Sequence, residues 1–359
     1  MSTLTPDTIM TALRSVKDPE IGRDVVSLNM IQDLKIEDGN RVSLTLVLTT
    51  PACPIKGEFQ ESVRQAILQA GAVEAIVNLS ANTVGRLGIA GQQTILPGVK
   101  NTLAIASGKG GVGKSTVTVN LAIALAGYGA KVGIMDADVY GPTVPLMMNV
   151  HELPPPVAGR ITPPVRYQCK VMSMGLILPK GEAVVWRGPM VAKMVQQFLT
   201  AVDWGELDYL LIDLPPGTGD AALTIAQMIP LTGVVVVTTP QEAATTIATK
   251  AISMFGKLNV PILGIIENMS FHQCSSCGHR ETIFGEGGGL RASLDSGIAF
   301  LGQVPLDGAI RESGDLGKPI LVLHPEAPAS QAFKEIAGKM AGRISVLHAD
   351  ASLQLPVIS

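Results

Sequence analysis

Apolar residues at the start of the chain recur in two different rhythms. After Thr5-Pro6-Asp7, a capping threonine followed by proline at the first helical position, Ile9, Met10, Leu13 and Val16 fall at helical spacing. A helix is expected to about Lys17. Leu34 and Ile36, then Val42, Leu44, Leu46 and Leu48, alternate with polar residues about Asp38-Gly39, which predicts a β-hairpin with one buried face. Pro54 to Ala70 is amphipathic and Val73 to Leu79 alternates again. Residues 1–84 thus read as a small α+β unit, and the glycine-rich stretch 85–101, with Pro97-Gly98, as a linker.

From Thr102 the pattern changes to short apolar runs separated by helical stretches, the signature of a mainly parallel sheet covered by helices on both faces. The candidate strands are Leu103 to Ala106, Val132 to Met135, Tyr209 to Ile212, Val234 to Val237, Ile262 to Ile266 and Phe300 to Val304. Leu153 to Pro164 holds five prolines and is expected to be an inserted loop. This α/β domain is assigned to 102–345, with a helix near Ala332 to Ile344 and a tail over 346–359.

Composition narrows the function classes. The 359 residues are 47% hydrophobic and 16% charged, which suits globular α/β structure in about two domains. A net charge of −3 without a Lys/Arg run gives no footprint for nucleic acid or an anionic membrane. No stretch reaches membrane-spanning length, and Met1-Ser-Thr-Leu-Thr-Pro-Asp lacks the features of a secretory signal, so a cytoplasmic protein is expected.

Gly108-Lys-Gly-Gly-Val-Gly-Lys-Ser-Thr116 fits G-x-x-x-x-G-K-[ST] directly between an apolar strand and an apolar helix. In such a loop the backbone N–H groups from Gly108, Lys109, Gly110, Gly111, Val112 and Gly113 converge on phosphate oxygens. Lys114 neutralises the β- and γ-phosphates, Ser115 offers its hydroxyl to magnesium, and Thr116 supports the α-phosphate. Two acidic stretches follow at strand carboxyl ends, where α/β sheets bind ligands: Asp136-Ala-Asp138-Val-Tyr-Gly-Pro142 and Asp213-Leu-Pro-Pro-Gly217-Thr-Gly-Asp220. Asp213 is expected to hold magnesium as a Walker B carboxylate, and Gly217 to sense the γ-phosphate through its N–H. Asp138 is the candidate for positioning the attacking water. Asp136 either supports it or caps a turn.

Of four cysteines, only Cys274 and Cys277 are close in sequence, in Phe271-His-Gln-Cys274-Ser-Ser-Cys277-Gly-His279. One C-x-x-C supplies two thiolates and a soft-metal site needs about four, so two chains related by a two-fold axis would complete it. Such a Cys₄ set suits a 4Fe-4S cluster or zinc. Zinc with His272 or His279 as a further ligand, and a redox dithiol, are the competing readings. Cys169 reads as core. Cys53, in Thr50-Pro-Ala-Cys53-Pro, is either a reactive, cluster-handling thiol or a half-buried structural cysteine.

Lys109, immediately after the first glycine, makes the loop resemble the deviant P-loop of the MinD, ParA and nitrogenase-iron-protein superfamily. That resemblance implies an ATPase whose extra lysine reaches the partner's nucleotide across a homodimer, and places Asn268, Pro305 and Asp307 against the adenine. The deviant P-loop, the two acidic stretches, Glu267-Asn-Met269 and the C-x-x-C occur in the order of the Mrp/ApbC iron-sulfur carriers, over roughly residues 100 to 345. The N-terminal unit resembles the small SufT/PaaD-type domain. The resemblance implies ATP, Mg2+ and a 4Fe-4S cluster bridging two subunits, with apo iron-sulfur proteins and a cluster scaffold or donor as partners. A MinD/ParA-like positioning ATPase with a structural zinc site is the alternative, weakened because the expected helix near Ala332 to Ile344 has only a few basic residues and lies before a further tail, which is poor support for a membrane anchor.

Overall fold

Thr5 opens α1 (Pro6–Leu13) by accepting the Thr8 N–H at 3.3 Å. The helix stops short of Lys17. Asp18 Oδ1 takes the N–H groups of Glu20 (2.9 Å) and Ile21 (2.8 Å), a side-chain turn that competes with helical pairing. β1 (Ile31–Glu37) pairs antiparallel with β2 (Arg41–Leu48), and β3 (Glu74–Ala81), reached through α2 (Lys56–Gln69), joins β2 in parallel. In β2 the alternation is complete: Val42, Leu44, Leu46 and Leu48 are buried against Ile9 and Leu13 of α1 and Phe59, Val63 and Ile67 of α2. β1 is irregular between Gln32 and Lys35, with Asp33 at φ 51°, and its apolar residues are only half-buried.

The computed structural model describes residues 4–37, 40–83, 85, 95–177, 188–274 and 276–353. The expected Asp38-Gly39 turn and most of the expected linker lie outside them. Two compact units divide the chain: Met1–Val84 with Ala341–Ser359, and Gly85–Met340.

The larger unit runs β4 (Val99–Ser107), α3 (Lys114–Gly127), β5 (Val132–Asp136), α4 (Val144–Met147), β6 (Val165–Arg166), β7 (Cys169–Ser173), α5 (Gly188–Ala201) and β8 (Leu207–Asp213). It continues through α6 (Asp220–Met228), β9 (Gly233–Thr238), α7 (Glu242–Lys257), β10 (Ile262–Glu267), β11 (His272–Gln273), β12 (Arg280–Glu281), α8 (Gly288–Ser296) and β13 (Phe300–Gln303). α9 (Gly308–Asp315), α10 (Ile320–Leu323) and α11 (Pro328–Leu353) follow, so helix occupies most of the segment expected to be a tail. Eight strands form one sheet in the order β13-β10-β9-β4-β8-β5-β7-β6, parallel except for β6 against β7. Every residue of β5 and β9 is buried, as a sheet covered on both faces requires.

All six strands expected from apolar runs are present, within a few residues of their predicted ends. β6 and β7 were not expected. Their sequence, Val165 to Ser173, is short and broken by Arg166, Gln168 and Lys170, yet β7 pairs with β5 from Val132↔Cys169 to Asp136↔Ser173 and buries Cys169 completely. β4 lies between β8 and β9, with β5 on one flank and β10 on the other, so its carboxyl end is the switch point at which such sheets take ligands.

Candidate nucleotide site and cysteine hairpin

Gly108 to Thr116 leave the carboxyl end of β4 and enter α3 at Lys114. Gly111 and Gly113 both hold φ at +80°, a left-handed conformation that favours glycine. A Cβ on Gly113 would collide with Nδ2 of Asn268, and one on Gly108 with the Ile247–Ala248 backbone. Asn268, buried, donates from Nδ2 to the Val112 carbonyl at 2.8 Å, while its N–H bonds Thr238 O at 2.8 Å. The loop is therefore shaped by α7 and the end of β10 as well as by its own glycines.

The carboxylates gather around Lys114. Its Nζ lies 2.8 Å from Asp213 Oδ1, 3.7 Å from Asp138 Oδ2 and 3.3 Å from Ser115 Oγ. Asp213, fully buried, also accepts from Ser115 Oγ at 2.5 Å and Thr118 Oγ1 at 2.7 Å. Thr118 stood out by no motif, but it lies one helical turn past Lys114 and so shares its face. Asp136 pairs in register with Asp213 across β5 and β8. It accepts the Ser173 hydroxyl (2.9 Å) and the N–H groups of Asp138 (3.1 Å) and Val144 (3.3 Å), the last two matching the turn-capping alternative. Burial, reinforced by the Asp213 charge, pushes the Asp136 carboxyl up to about 8. Burial also raises Asp138 above the ordinary carboxylate range.

Gly217, at φ +90°, donates its N–H to the Ser107 carbonyl at 2.9 Å. Lys109 is half-buried, and its carbonyl accepts the Ser107 hydroxyl at 3.0 Å. A glycine cradle that a Cβ would fill, an ammonium, a hydroxyl and hard carboxylate oxygens together fit a magnesium nucleotide.

Beside the loop is a cavity of about 350 Å³, lined by Gly113, Thr116 and Asn268 on one side and Met147, Pro305 and Ile310 on the other. Its largely apolar walls suit a planar base. Asp307 also lines it, but the carboxylate caps α9, accepting the Ala309 N–H at 2.8 Å.

The cysteines occupy the turn of the two-stranded hairpin β11–β12, where Cys274 N–H donates to His279 O and Gly278 N–H to Cys274 O, both at 2.9 Å. The Cys274 sulfur accepts the backbone N–H groups of Cys277 and Ser276 and the Cys277 thiol, which hold its pKa below the ordinary thiol value. Cys277 is exposed. Arg280 stacks 3.5 Å from the Phe271 ring centroid and reaches Gln303 Oε1 at 3.2 Å. Gln303 in turn donates to Glu267, a fully buried carboxylate that also takes the Ser270 hydroxyl and the Gly289 N–H, both at 2.5 Å. In the N-terminal unit Cys53 is buried, and burial raises its thiol pKa.

Residues 98–341 match the family described as NUBPL iron-transfer P-loop NTPase. The chain belongs to that family. Residues 6–77 of this NUBPL-family chain match a second family, described as iron-sulfur cluster assembly protein. The iron-sulfur cluster carrier protein of Synechocystis is 44% identical over 350 residues, covering 96% of this chain and 99% of its own. That of Deinococcus radiodurans is 44% identical over 361 residues, covering 98% and 99%. Among solved structures, a nucleotide-binding protein from Archaeoglobus fulgidus in complex with ADP is 40% identical with a TM-score of 0.58, over 65% of this chain and 91% of that one. The cell division ATPase MinD of Pyrococcus furiosus, 24% identical over 67% of this chain and 98% of its own with a TM-score of 0.51, shares the fold. The family and fold expected from the sequence are borne out.

Proposed function

We propose that this NUBPL-family protein is a cytoplasmic ATP-hydrolysing carrier that binds a 4Fe-4S cluster across a homodimer and passes it to apo iron-sulfur proteins. The observation that carries the reading is ligand supply. Among the described residues no three His, Cys, Asp or Glu side chains converge as a metal site, while half-buried Cys274 and exposed Cys277 share one turn. A second copy brings the two thiolates that a cluster still needs. The names of the similar proteins support the cargo.

In this reading Ser115 and Asp213 hold Mg2+, which supplies charge neutralisation at the phosphates. Gly108 to Thr116 bind the phosphates, and Asn268, Pro305 and Asp307 border the base. Asp138 orients the attacking water and Asp136 supports its loop through the Asp138 N–H. For Gly217 to sense a γ-phosphate, its N–H must exchange its bond to Ser107. Lys109 serves the partner's nucleotide. Cys53 acts in delivery, and Cys53→Ser is expected to slow transfer to an apoprotein without changing hydrolysis.

Anaerobic reconstitution of the full chain tests the central claim by visible absorption, iron and sulfide analysis, and sizing. The expected product is a brown dimer with about four irons per two chains. Ala at both Cys274 and Cys277 removes the iron and leaves ADP binding intact. A brown monomer with a full cluster refutes the proposal, and a colourless dimer holding one zinc favours the positioning-ATPase alternative.

A further inference from the structure

The cysteine hairpin and the nucleotide cavity share a wall. Past the ends of β10 and β13 the two segments continue side by side: Val304 N–H donates to Glu267 O (2.9 Å), Ser270 N–H to Val304 O (3.0 Å) and Leu306 N–H to Phe271 O (2.7 Å). The next link is made by a side chain. His272 Nδ1 lies 3.1 Å from Leu306 O. A carbonyl only accepts, so Nδ1 carries the proton and donates.

Both backbone groups of Leu306 are thus tied to Phe271 and His272, and His272 stands two residues before Cys274. Leu306, its neighbours Pro305 and Asp307, and Met269 on the facing segment all line the cavity. Met269 sits at φ +55°, a left-handed conformation uncommon for its side chain. The hairpin's other described anchor, Arg280 to Gln303, ends on the same 303–307 segment. A ligand that moves this wall moves the base of the hairpin with it.

The geometry points to His272 as a positioning residue that couples occupancy of the nucleotide cavity to the setting of the Cys274–Cys277 turn, through its bond to Leu306. This rests on the proposed nucleotide site and goes beyond it. The coupled property is the accessibility of two thiols, which exists before any cluster is loaded.

The test uses the full-length apo protein, with ADP binding followed by titration and the alkylation rates of Cys274 and Cys277 followed by peptide mass spectrometry. In wild type, saturating ADP is expected to change the rate at one or both cysteines about five-fold or more, within the usual range of coupling between linked sites. His272→Leu lacks the donor, and His272→Gln places its amide nearer the Nε2 position. Both are expected to abolish the ADP effect while keeping ADP affinity within about two-fold, because His272 does not line the cavity. His272→Asn, whose Nδ2 reaches the place of Nδ1, restores most of it. Rates in wild type that ignore bound ADP overturn the inference and leave the nucleotide site standing, as does a full ADP effect in His272→Gln. Failure of wild type to bind ADP refutes the nucleotide site itself.

Discussion

Removing the ammonium of Lys114 strands the buried carboxylate of Asp213, 2.8 Å away. Breaking a buried pair from one side costs about 3–5 kcal/mol, because the remaining charge has no partner. Lys114→Ala is therefore expected to lose nucleotide binding and also to unfold at lower denaturant. Adding Asp213→Asn should return most of the stability and none of the binding, a pattern that denaturant titration and ADP titration separate cleanly. At the same scale, Asp136 carries a pH signature. Its carboxyl is pushed from an ordinary 3.8 to about 8 in the folded protein, so the folded state binds the proton more tightly than the unfolded chain. The resulting stability is complete below about pH 4 and is lost as the pH climbs through about 8. Asp136→Asn should flatten the fall in melting temperature across that window; an unchanged slope would assign it to other groups.

At the scale of elements, α9 shows how a helix end can shape a site. Asp307 caps it through the Ala309 N–H, and Ile310 on the same helix lines the cavity. Asp307→Asn keeps a capping oxygen and should preserve melting temperature and ADP affinity. Asp307→Ala should cost about 1 kcal/mol and loosen both. A loss of affinity in Asp307→Asn without loss of stability would mean instead that the carboxylate charge itself reads the nucleotide. The same scale explains what was legible in advance. Strands buried on both faces announce themselves as apolar runs, so β4, β5, β8, β9, β10 and β13 were readable, and the P-loop with them. β7 was not, because Gln168 and Lys170 interrupt its pattern and its burial comes from β5 alongside. The acidic residues were found by their place at strand ends, but their partners were not. Thr118 and Ser173 are ordinary residues in sequence and become significant only when β5, β7, β8 and α3 are brought together. Likewise Asn268 was singled out for the base, and its bond to the Val112 carbonyl depends on the loop's three-dimensional path.

For the molecule as a whole, the decisive measurements concern pairs of chains. Lys109→Ala is expected to keep most nucleotide binding and lose most hydrolysis, while mixed dimers with wild type should show partial rescue or poisoning. Chains that hydrolyse independently of their partners would confine Lys109 to its own loop. The bond between Val112 and Asn268 has another consequence, since it joins positions 156 residues apart. A ribosome adding about 5–20 residues per second needs on the order of ten to thirty seconds to travel that distance. Throughout that interval the growing polypeptide already contains every glycine of the phosphate loop but not the amide that pins it. Capture of nucleotide by the fully shaped loop therefore waits until β10 has been made, so ligand binding on the ribosome would mark a domain that already holds seven of the eight strands of its sheet.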